Sequence, residues 1–318
     1  MSETSLSMVA DIGGTNARFA LVQAGTTITQ HEHQFRCKDF AGLTEVVRHY
    51  LSMVGNPEVR VAAFDVASAV TGDLIHLTNS PWSFSISGTK KALGFDELHV
   101  INDFTALALA VPILGKSDVR QVGRGAPVPE TAIGVLGAGT GLGVSGLLWN
   151  GDRWLPLQGE GGHVAFSPVT QREDAILKIL RRDFGSHISA ERILTGMGLS
   201  NIYRALSELD GGEAVQLEPA QITGAALAGS DQRAQETVDI FCAALGTAAS
   251  NLAITLGARS GVFIGGGIVP KLGAYFDQSA FRERFEDKGR FSEYLSAIPT
   301  YVIVAATPAL RGLATLLA

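Results

Sequence analysis

The chain has 318 residues, of which 46% are hydrophobic and only 18% are charged. This length is sufficient for two domains with separate cores, and this composition excludes a largely disordered chain. The formal net charge of −6 argues against nucleic acid or an anionic membrane as a partner, because both require a basic surface.

The cysteine content and the first residues of the chain indicate a cellular compartment. Cys37 and Cys242 lie far apart in the sequence, and we expect both to be reduced thiols. Residues 1–7 lack the basic and apolar regions of a signal peptide, and no run reaches the roughly 18 apolar residues of a membrane span. The sequence therefore predicts a cytoplasmic protein with no membrane partner.

The first motif is a glycine-rich turn between two predicted strands, residues 6–10 and 19–22. Its backbone N–H groups can face an anion, because glycine adopts turn conformations without a Cβ in the way. Asp11 would repel a phosphate unless a cation lay between them, which suggests Mg²⁺. An ordinary tight hairpin is the alternative interpretation. The turn consists of Gly13, Gly14, Thr15 and Asn16.

After this hairpin the predicted helices and strands alternate, as expected for an α/β domain. The next elements are a strand over 26–31, a helix over 39–53, strands over 59–66 and 74–77, a helix over 89–93, a strand over 98–101 and a helix over 104–111. A final helix begins at Thr307 and Pro308, and we assign it to the same domain. The small α/β domain would then comprise residues 1–112 and 306–318, and the large one residues 113–305.

Asn102 and Asp103 follow the predicted strand over 98–101, at the end of the strand where ligands bind in open α/β sheets. An aspartate at this place can accept a proton from a hydroxyl nucleophile, and Asn102 can orient the same substrate. Asp103 could instead serve only as the N-cap of the helix that follows.

A second glycine turn follows the strand over 133–136 and precedes another over 144–149. No Lys-Ser/Thr pair follows the glycines, so neither turn is a Walker A loop, and neither leads into a helix as a dinucleotide-binding turn does. Two matched turns suggest two phosphate-binding hairpins, as in actin-like and hexokinase-like ATPases. The second turn includes Gly137, Gly139, Thr140 and Gly141.

Three further segments of the predicted large domain contain candidate ligand contacts. The loop with Glu160 and His163 offers donors and acceptors to a polyol, but it could be a plain surface loop or part of a metal site. Glu191 could contact a sugar or only complement a helix dipole. A glycine run after the strand over 261–264 would let the backbone pass close to a base or ribose, or form a simple turn. This run is Gly265, Gly266 and Gly267.

Taken in order, these motifs resemble those of the bacterial glucokinases of the hexokinase/actin-like ATPase superfamily. The resemblance covers most of the chain. The cysteine-rich zinc motif and the helix-turn-helix of the repressor–sugar kinase branch are absent from this sequence. The motifs are DIGGTNARFAL, TNSPWSFSI, INDFTALALA, GAGTGLGV, GEGGHVAFSP, SAERILTG, GVFIGGGIVP and FEDKGRF.

The resemblance implies two duplicated α/β domains of actin/hexokinase-like (ribonuclease H-like) fold with an active-site cleft between them. It implies that Asp103 is the base for the sugar 6-hydroxyl and that Asp11 holds Mg²⁺ through water. The two glycine turns would bind the phosphates of ATP, and Gly265 to Gly267 would flank the adenosine. A homodimer is also implied. The hexose contacts would be Asn102, Asp103, Glu160, His163 and Glu191.

The predicted function is ATP-dependent phosphorylation of glucose to glucose 6-phosphate, the entry to glycolysis. A kinase for mannose, an amino sugar or another hexose is the nearest alternative. Two further classes stay open: a nucleotide-driven switch that hydrolyses ATP without sugar, and a sugar-sensing protein that binds hexose without turnover. The second class would need a basic DNA-binding module, which this sequence lacks.

Overall fold

The computed structural model describes residues 6–77 and 82–317. The chain forms two compact units, Met1–Gly115 with Ala305–Ala318, and Lys116–Val304. Residues 78–81, which belong to the motif TNSPWSFSI, lie outside the described residues.

The elements of the described residues are numbered here in chain order. The strands are β1 Leu6–Ile12, β2 Asn16–Gln23, β3 Thr29–Arg36, β4 Val59–Val66, β5 Leu74–His76, β6 Ser83–Ser85, β7 Glu97–Asn102, β8 Val119–Val122, β9 Ile133–Ala138, β10 Leu142–Trp149, β11 Trp154–Leu157, β12 Gly261–Gly265 and β13 Thr300–Ile303. The helices are α1 Leu43–Met53, α2 Ile86–Leu93, α3 Asp103–Ala110, α4 Gln171–Phe184, α5 Gly196–Leu209, α6 Pro219–Ala228, α7 Gln232–Leu256, α8 Val269–Leu272, α9 Ala274–Gln278, α10 Phe281–Glu286, α11 Ser292–Ser296 and α12 Pro308–Ala314.

Each unit is built on a sheet with the same core topology. The first sheet has the order β3-β2-β1-β4-β7, and the second has the order β11-β10-β9-β12-β13-β8. In both, three antiparallel strands are followed by two strands parallel to the first of the three. This shared order confirms the predicted duplication of an α/β domain. The second sheet adds β8, which pairs with β13 in the antiparallel direction.

The sheet of the first unit is covered on both faces, because alternate side chains of each strand point to opposite sides. One face contributes Met8 and Phe64 to a core shared with α1. The other face contributes Val9 and Ala63 to a core shared with Leu313 of α12. The helix α12 thus belongs to the first unit although it follows the second unit in sequence.

Several element boundaries differ from the sequence prediction. The third strand spans Thr29–Arg36 and not residues 26–31, since its alternating polar residues hide the strand pattern. The first helix begins at Leu43 and not at residue 39, because Cys37–Asp39 forms a separate 3-10 helix. The helix α2 begins at Ile86 and not at residue 89, because the Ser85 hydroxyl caps it by accepting from an N–H group of its first turn.

The helix α7 forms the centre of the second unit. In the part of the chain that the structure describes, it is the one helix long and apolar enough to cross a membrane, by length and composition alone. However, 67% of its most apolar stretch is buried within the unit. It packs against α5, α6 and α10, and at Gly246 a Cβ atom would lie 2.3 Å from the carbonyl oxygen of Phe281. This burial is that of a core helix.

Candidate active site

The first glycine turn joins β1 and β2, and two kinds of contact hold it. Within the turn, the Gly13 N–H donates to the carbonyl of Asn16 at 3.0 Å. From outside, the Cys37 N–H donates to the carbonyl of Thr15 at 2.9 Å, and the Cys37 thiol contacts the carbonyl of Gly13 at 3.4 Å. Burial raises the pKa of this thiol, so it stays a protonated donor. The predicted phosphate turn is thus supported by a neutral side chain.

Beside this turn, three charged side chains lie in register across β2, β1 and β4. Arg18 pairs with Asp11 in the antiparallel direction, and Asp11 pairs with Asp65 in the parallel direction. The Arg18 guanidinium donates to Asp11 at 2.9 Å. Asp65 is fully buried, and among the described residues no protein donor reaches either of its carboxylate oxygens. Asp11 lies within hydrogen-bonding reach, but two carboxyl groups can bond only when one carries a proton.

Burial raises the pKa of Asp65 well above its ordinary value, and the nearby charges of Asp11 and Asp103 raise it further. Arg18 opposes this rise, although it is the weaker influence. Asp65 is missing from the sequence prediction because it stands in VRVAAFDV, a run that indicates only a buried strand. A lone acidic residue near the carboxyl end of such a run is the signal that could have found it.

Asn102 and Asp103 lie where β7 ends and α3 begins. Asn102 caps the helix, because its Oδ1 accepts from the N–H groups of Phe104 at 2.9 Å and Thr105 at 3.3 Å. The expectation that Asp103 might be the N-cap is therefore wrong; Asp103 is the first helical residue, and its Oδ1 accepts from the Phe104 N–H at 2.9 Å. With the cap supplied by its neighbour, Asp103 can take another role.

The Asp103 carboxyl has a perturbed acidity. Burial raises its pKa to about 6, the Phe104 N–H lowers it, and the negative charge of Asp11 raises it. A carboxyl with this pKa is largely ionised at neutral pH and is still a competent proton acceptor. Its place after the carboxyl end of β7, a parallel strand at the edge of the sheet, is also the usual place of ligands in such sheets.

The second glycine turn joins β9 and β10 and is packed against the glycine run after β12. Within the turn, the Gly139 N–H donates to the carbonyl of Gly141 at 2.9 Å. Gly266 has a φ of +80°, and a Cβ atom there would lie 2.3 Å from the carbonyl oxygen of Ala138. Only glycine fits this backbone conformation at this distance. The predicted phosphate and adenosine segments of the second unit are therefore in direct contact.

The loop with Glu160 and His163 packs against the first residues of β10. Gly162 makes this contact possible, since a Cβ atom there would lie 2.0 Å from the carbonyl oxygen of Leu142. The side chains of Glu160 and His163 are exposed, and the carbonyl of His163 bonds with the His187 ring at 3.0 Å. No group of three or more potential metal-ligating side chains occurs among the described residues, which disfavours the alternative of a metal site here.

Glu191 lies in the 3-10 helix Ala190–Arg192, and its carboxylate faces the second glycine turn. Its Oε2 accepts from the Leu142 N–H at 3.0 Å. The predicted sugar contact and the predicted phosphate turn are therefore joined by a hydrogen bond.

An apolar cavity of about 270 Å³ lies between α7 and these two segments. Leu142, Gly161, Ala190 and Ala248 are among its lining residues, and Asn251 is one of the few polar ones. A hexose needs a donor or acceptor for each hydroxyl, so this cavity does not suit a sugar. The exposed side chains of Glu160 and His163 are better placed for one.

Comparison with known proteins decides the family. The glucokinase family model matches residues 8–318. The chain belongs to the glucokinase family. The curated glucokinase of Chromobacterium violaceum is 50% identical, over 98% of this chain and 89% of the relative.

Solved structures of the glucokinase family share this fold. A glucokinase from an Antarctic psychrotroph is 37% identical with a TM-score of 0.89, over 98% of both chains. The Balamuthia mandrillaris glucokinase, solved in complex with glucose, is 21% identical with a TM-score of 0.82, over 98% of this chain and 93% of that one. At this lower identity, the second likeness shows the fold alone. The predicted actin/hexokinase-like fold class is confirmed.

Each unit of this glucokinase-family chain brings part of the predicted site together. In the first unit, Asp11 and Asn102 lie on strands of the same sheet, the glycine turn follows the strand of Asp11, and Asp103 follows the strand of Asn102. In the second unit, the turn over 137–141 contacts Gly266 and accepts support from Glu191, and the Glu160 loop lies on the strand that leaves the turn.

Proposed function

We propose that this protein is an ATP-dependent glucokinase, which transfers the γ-phosphoryl group of ATP to the 6-hydroxyl of glucose and releases ADP. Membership of the glucokinase family over residues 8–318 supports the reaction. The observation that carries the chemistry is the Asp103 carboxyl, whose burial raises its pKa to about 6 at the end of β7. A general base is most effective when its pKa lies near the working pH.

In the proposed mechanism, Asp103 accepts the proton of the 6-hydroxyl as its oxygen attacks the γ-phosphorus. The hexose is oriented by Asn102 and Asp103 from the first unit and by Glu160, His163 and Glu191 from the second. Phosphoryl transfer asks little covalent chemistry of a protein, so alignment of the two substrates supplies most of the acceleration.

We propose that the two glycine turns bind the phosphates through their N–H groups and that Gly265 to Gly267 flank the adenosine. Mg²⁺ fits the first unit, because Asp11 offers the hard carboxylate oxygen that this ion prefers, and its other ligands can be water and phosphate. The oxygens of Asp65, which no described protein donor reaches, lie beside Asp11 on the neighbouring strand. When bound, Mg²⁺ would neutralise charge on the phosphates, while Asp11 would hold it through water.

We further propose that the protein consists of two domains, residues 1–112 with 306–318 and residues 113–305. Exclusion of water from the bound sugar would favour transfer, because water otherwise competes with the 6-hydroxyl for the γ-phosphate. The net charge of −6 supports the absence of nucleic acid and anionic membranes among the partners. A cytoplasmic homodimer is our proposal from the family resemblance, and sedimentation of the purified protein tests the dimer.

Turnover of a panel of hexoses with Mg-ATP tests the proposed function. We expect glucose 6-phosphate as the main product and no ATP hydrolysis without sugar. Asp103→Asn keeps the shape of the side chain and removes the base, so kcat should fall by about 10²–10⁴. Glucose binding measured by calorimetry should persist in this variant. Wild-type protein that makes no sugar phosphate from any hexose would refute the proposal.

The pH dependence of kcat/KM tests the role of Asp103 in the free enzyme. The folded pKa of about 6 lies above the ordinary value, so the basic form is lost as the pH falls through 6. At pH 5 we expect about one tenth of the plateau value, since one unit below a pKa leaves roughly a tenth of the groups ionised. A flat profile between pH 7.5 and pH 5 would remove Asp103 from this role.

A further inference from the structure

The hydrogen bond between Glu191 and Leu142 connects two segments with different proposed ligands. Leu142 is the first residue after the turn over 139–141, which we assign to the ATP phosphates. Glu191, which we assign to the hexose, lies 49 residues further along the chain. The Oε2···N distance of 3.0 Å is that of a good hydrogen bond, and a charged acceptor makes it stronger than a neutral pair.

The segment that contains Glu191 is also hydrogen-bonded to the same turn through its backbone. The Gly196 N–H donates to the carbonyl of Gly139 at 3.0 Å. The Thr195 hydroxyl donates to the carbonyl of Glu191 at 2.9 Å, and it also caps α5. The backbone of Glu191 is therefore fixed relative to the turn. A change in the position of its carboxylate is then transmitted to the turn through the bond to Leu142.

The contact is also close enough that a side chain at Gly141 would displace the carboxylate. A Cβ atom at Gly141 would lie 2.9 Å from Oε2 of Glu191. A carboxylate has acceptor sites on both oxygens, and within the described residues no protein donor bonds to Oε1. One oxygen can therefore hold the turn while the other accepts from a sugar hydroxyl.

We infer that Glu191 is a positioning residue that couples the two substrates: a hexose bound to its carboxylate orders the turn over 139–141 and so raises the affinity for the nucleotide. This inference rests on the proposed function. A sugar hydroxyl fixes the carboxylate in one rotamer, and the carboxylate in turn fixes the Leu142 N–H. The turn therefore loses its conformational entropy when the hexose binds, and the nucleotide that binds next does not have to order it again. By linkage, the nucleotide raises the hexose affinity by the same factor.

The coupling factor is measured with the full chain and AMPPNP, which is not turned over. It is the Kd of Mg-AMPPNP without sugar divided by its Kd at saturating glucose, both by calorimetry. For the wild type we expect a factor of about 5–20, within the usual range of such couplings. A wild-type factor of one, in protein that phosphorylates glucose normally, would overturn the inference and leave the proposed function intact. Protein with no turnover and no glucose binding would overturn both.

Two variants separate coupling from sugar binding. Gly141→Ala displaces Oε2 and leaves the Glu191 carboxylate present, so the coupling factor should fall below about 2 while the Kd of glucose alone changes less than about threefold. Glu191→Gln keeps an acceptor for Leu142, so glucose binding should weaken but at least half of the coupling factor should remain. Glu191→Ala should lose both the coupling and the tight binding of glucose. This variant replaces Gly141→Ala in the test if Gly141→Ala fails to fold.

Gly224→Ala is the matched control, because a Cβ atom at that helical glycine meets no atom within 4 Å. Its coupling factor should equal that of the wild type. A wild-type coupling factor in Gly141→Ala or in Glu191→Ala would show that the Glu191–Leu142 contact is purely structural.

Discussion

The two units place opposite chemistry at the same point of a shared topology. In the first unit three charged side chains lie side by side across β2, β1 and β4, whereas in the second three glycines lie side by side across β10, β9 and β12. These residues are Arg18, Asp11 and Asp65 in the first unit and Gly143, Gly137 and Gly265 in the second.

The difference shows how a duplicated sheet can serve two purposes. The first row places the Asp11 carboxylate, beside the unpartnered oxygens of Asp65, near a strand end, where a divalent cation can use it. The glycine row allows close backbone approach, since a Cβ atom at Gly137 would lie 2.4 Å from the carbonyl of Gly265. The support of the two glycine turns differs in the opposite sense. A neutral thiol of Cys37 contacts the first turn, and the Glu191 carboxylate holds the second.

Among changes to the two rows and to the supports of the turns, the largest effect should come from removing charge in the first row. Asp11→Asn keeps the size of the side chain and abolishes the negative charge proposed to hold Mg²⁺. We expect kcat/KM for Mg-ATP to fall on the order of 10²–10³-fold, the scale for losing one electrostatic group in a site of this kind. The Kd of glucose alone, measured by calorimetry, should stay within about twofold. A normal kcat/KM at saturating Mg²⁺ would separate Asp11 from the metal.

In the second row, adding a single methyl group should be costly. Gly137→Ala places a Cβ atom against the Gly265 backbone, and such overpacking costs about 1–3 kcal/mol of unfolding free energy. Urea denaturation measures this loss, with Gly224→Ala as the control in open space. An unchanged denaturation midpoint would mean that the close approach of β9 and β12 is not needed for stability.

At Asp65 the expected effect on stability has the opposite sign. Asp65→Asn replaces a buried carboxyl that lacks a donor with an amide that can donate to Asp11. We expect the unfolding free energy at pH 8 to rise by about 1–2 kcal/mol, the cost of an unsatisfied buried polar group. Asp39→Asn, at an exposed site, is the control.

The sign of the pH dependence at Asp65 follows from its raised pKa. The unfolded chain loses its proton near the ordinary value of 3.8, whereas the folded chain keeps it to higher pH, so the folded form loses stability as the pH rises above 3.8. The advantage of Asp65→Asn should therefore grow from pH 4 to pH 8. An advantage that is constant with pH would mean that the Asp65 carboxyl is not perturbed.

The smallest effect should come from removing the neutral thiol that contacts the first turn. Cys37→Ala removes the thiol contact to Gly13 and leaves the backbone bond to Thr15 in place. We expect a loss of about 1 kcal/mol in unfolding free energy and little change in the coupling between glucose and AMPPNP. A collapse of that coupling in Cys37→Ala would contradict the contrast between the two supports.

The sequence predicted the two hairpins well, because a glycine turn between apolar strands depends on local preferences. It predicted less well where a distant residue decides the structure. Asn102 and not Asp103 caps α3, and both residue types favour that position equally. The Glu191–Leu142 bond spans 49 residues and leaves no local pattern. The strand β8 was missed in a polar segment, since its pairing with β13 is set by the sheet. The roles proposed for the site residues stay predictions.

The return of α12 to the first unit has a consequence for biosynthesis. Leu310, Leu313 and Ala314 complete a core with Val9 and Ala63, which leave the ribosome some 250 to 300 residues earlier. Domains emerge and fold in order of synthesis, and an incomplete core leaves apolar surface open. The first unit is therefore the first to begin synthesis and the last to complete its core. One face of β1 and β4 stays partly exposed until the second unit and α12 have been synthesised.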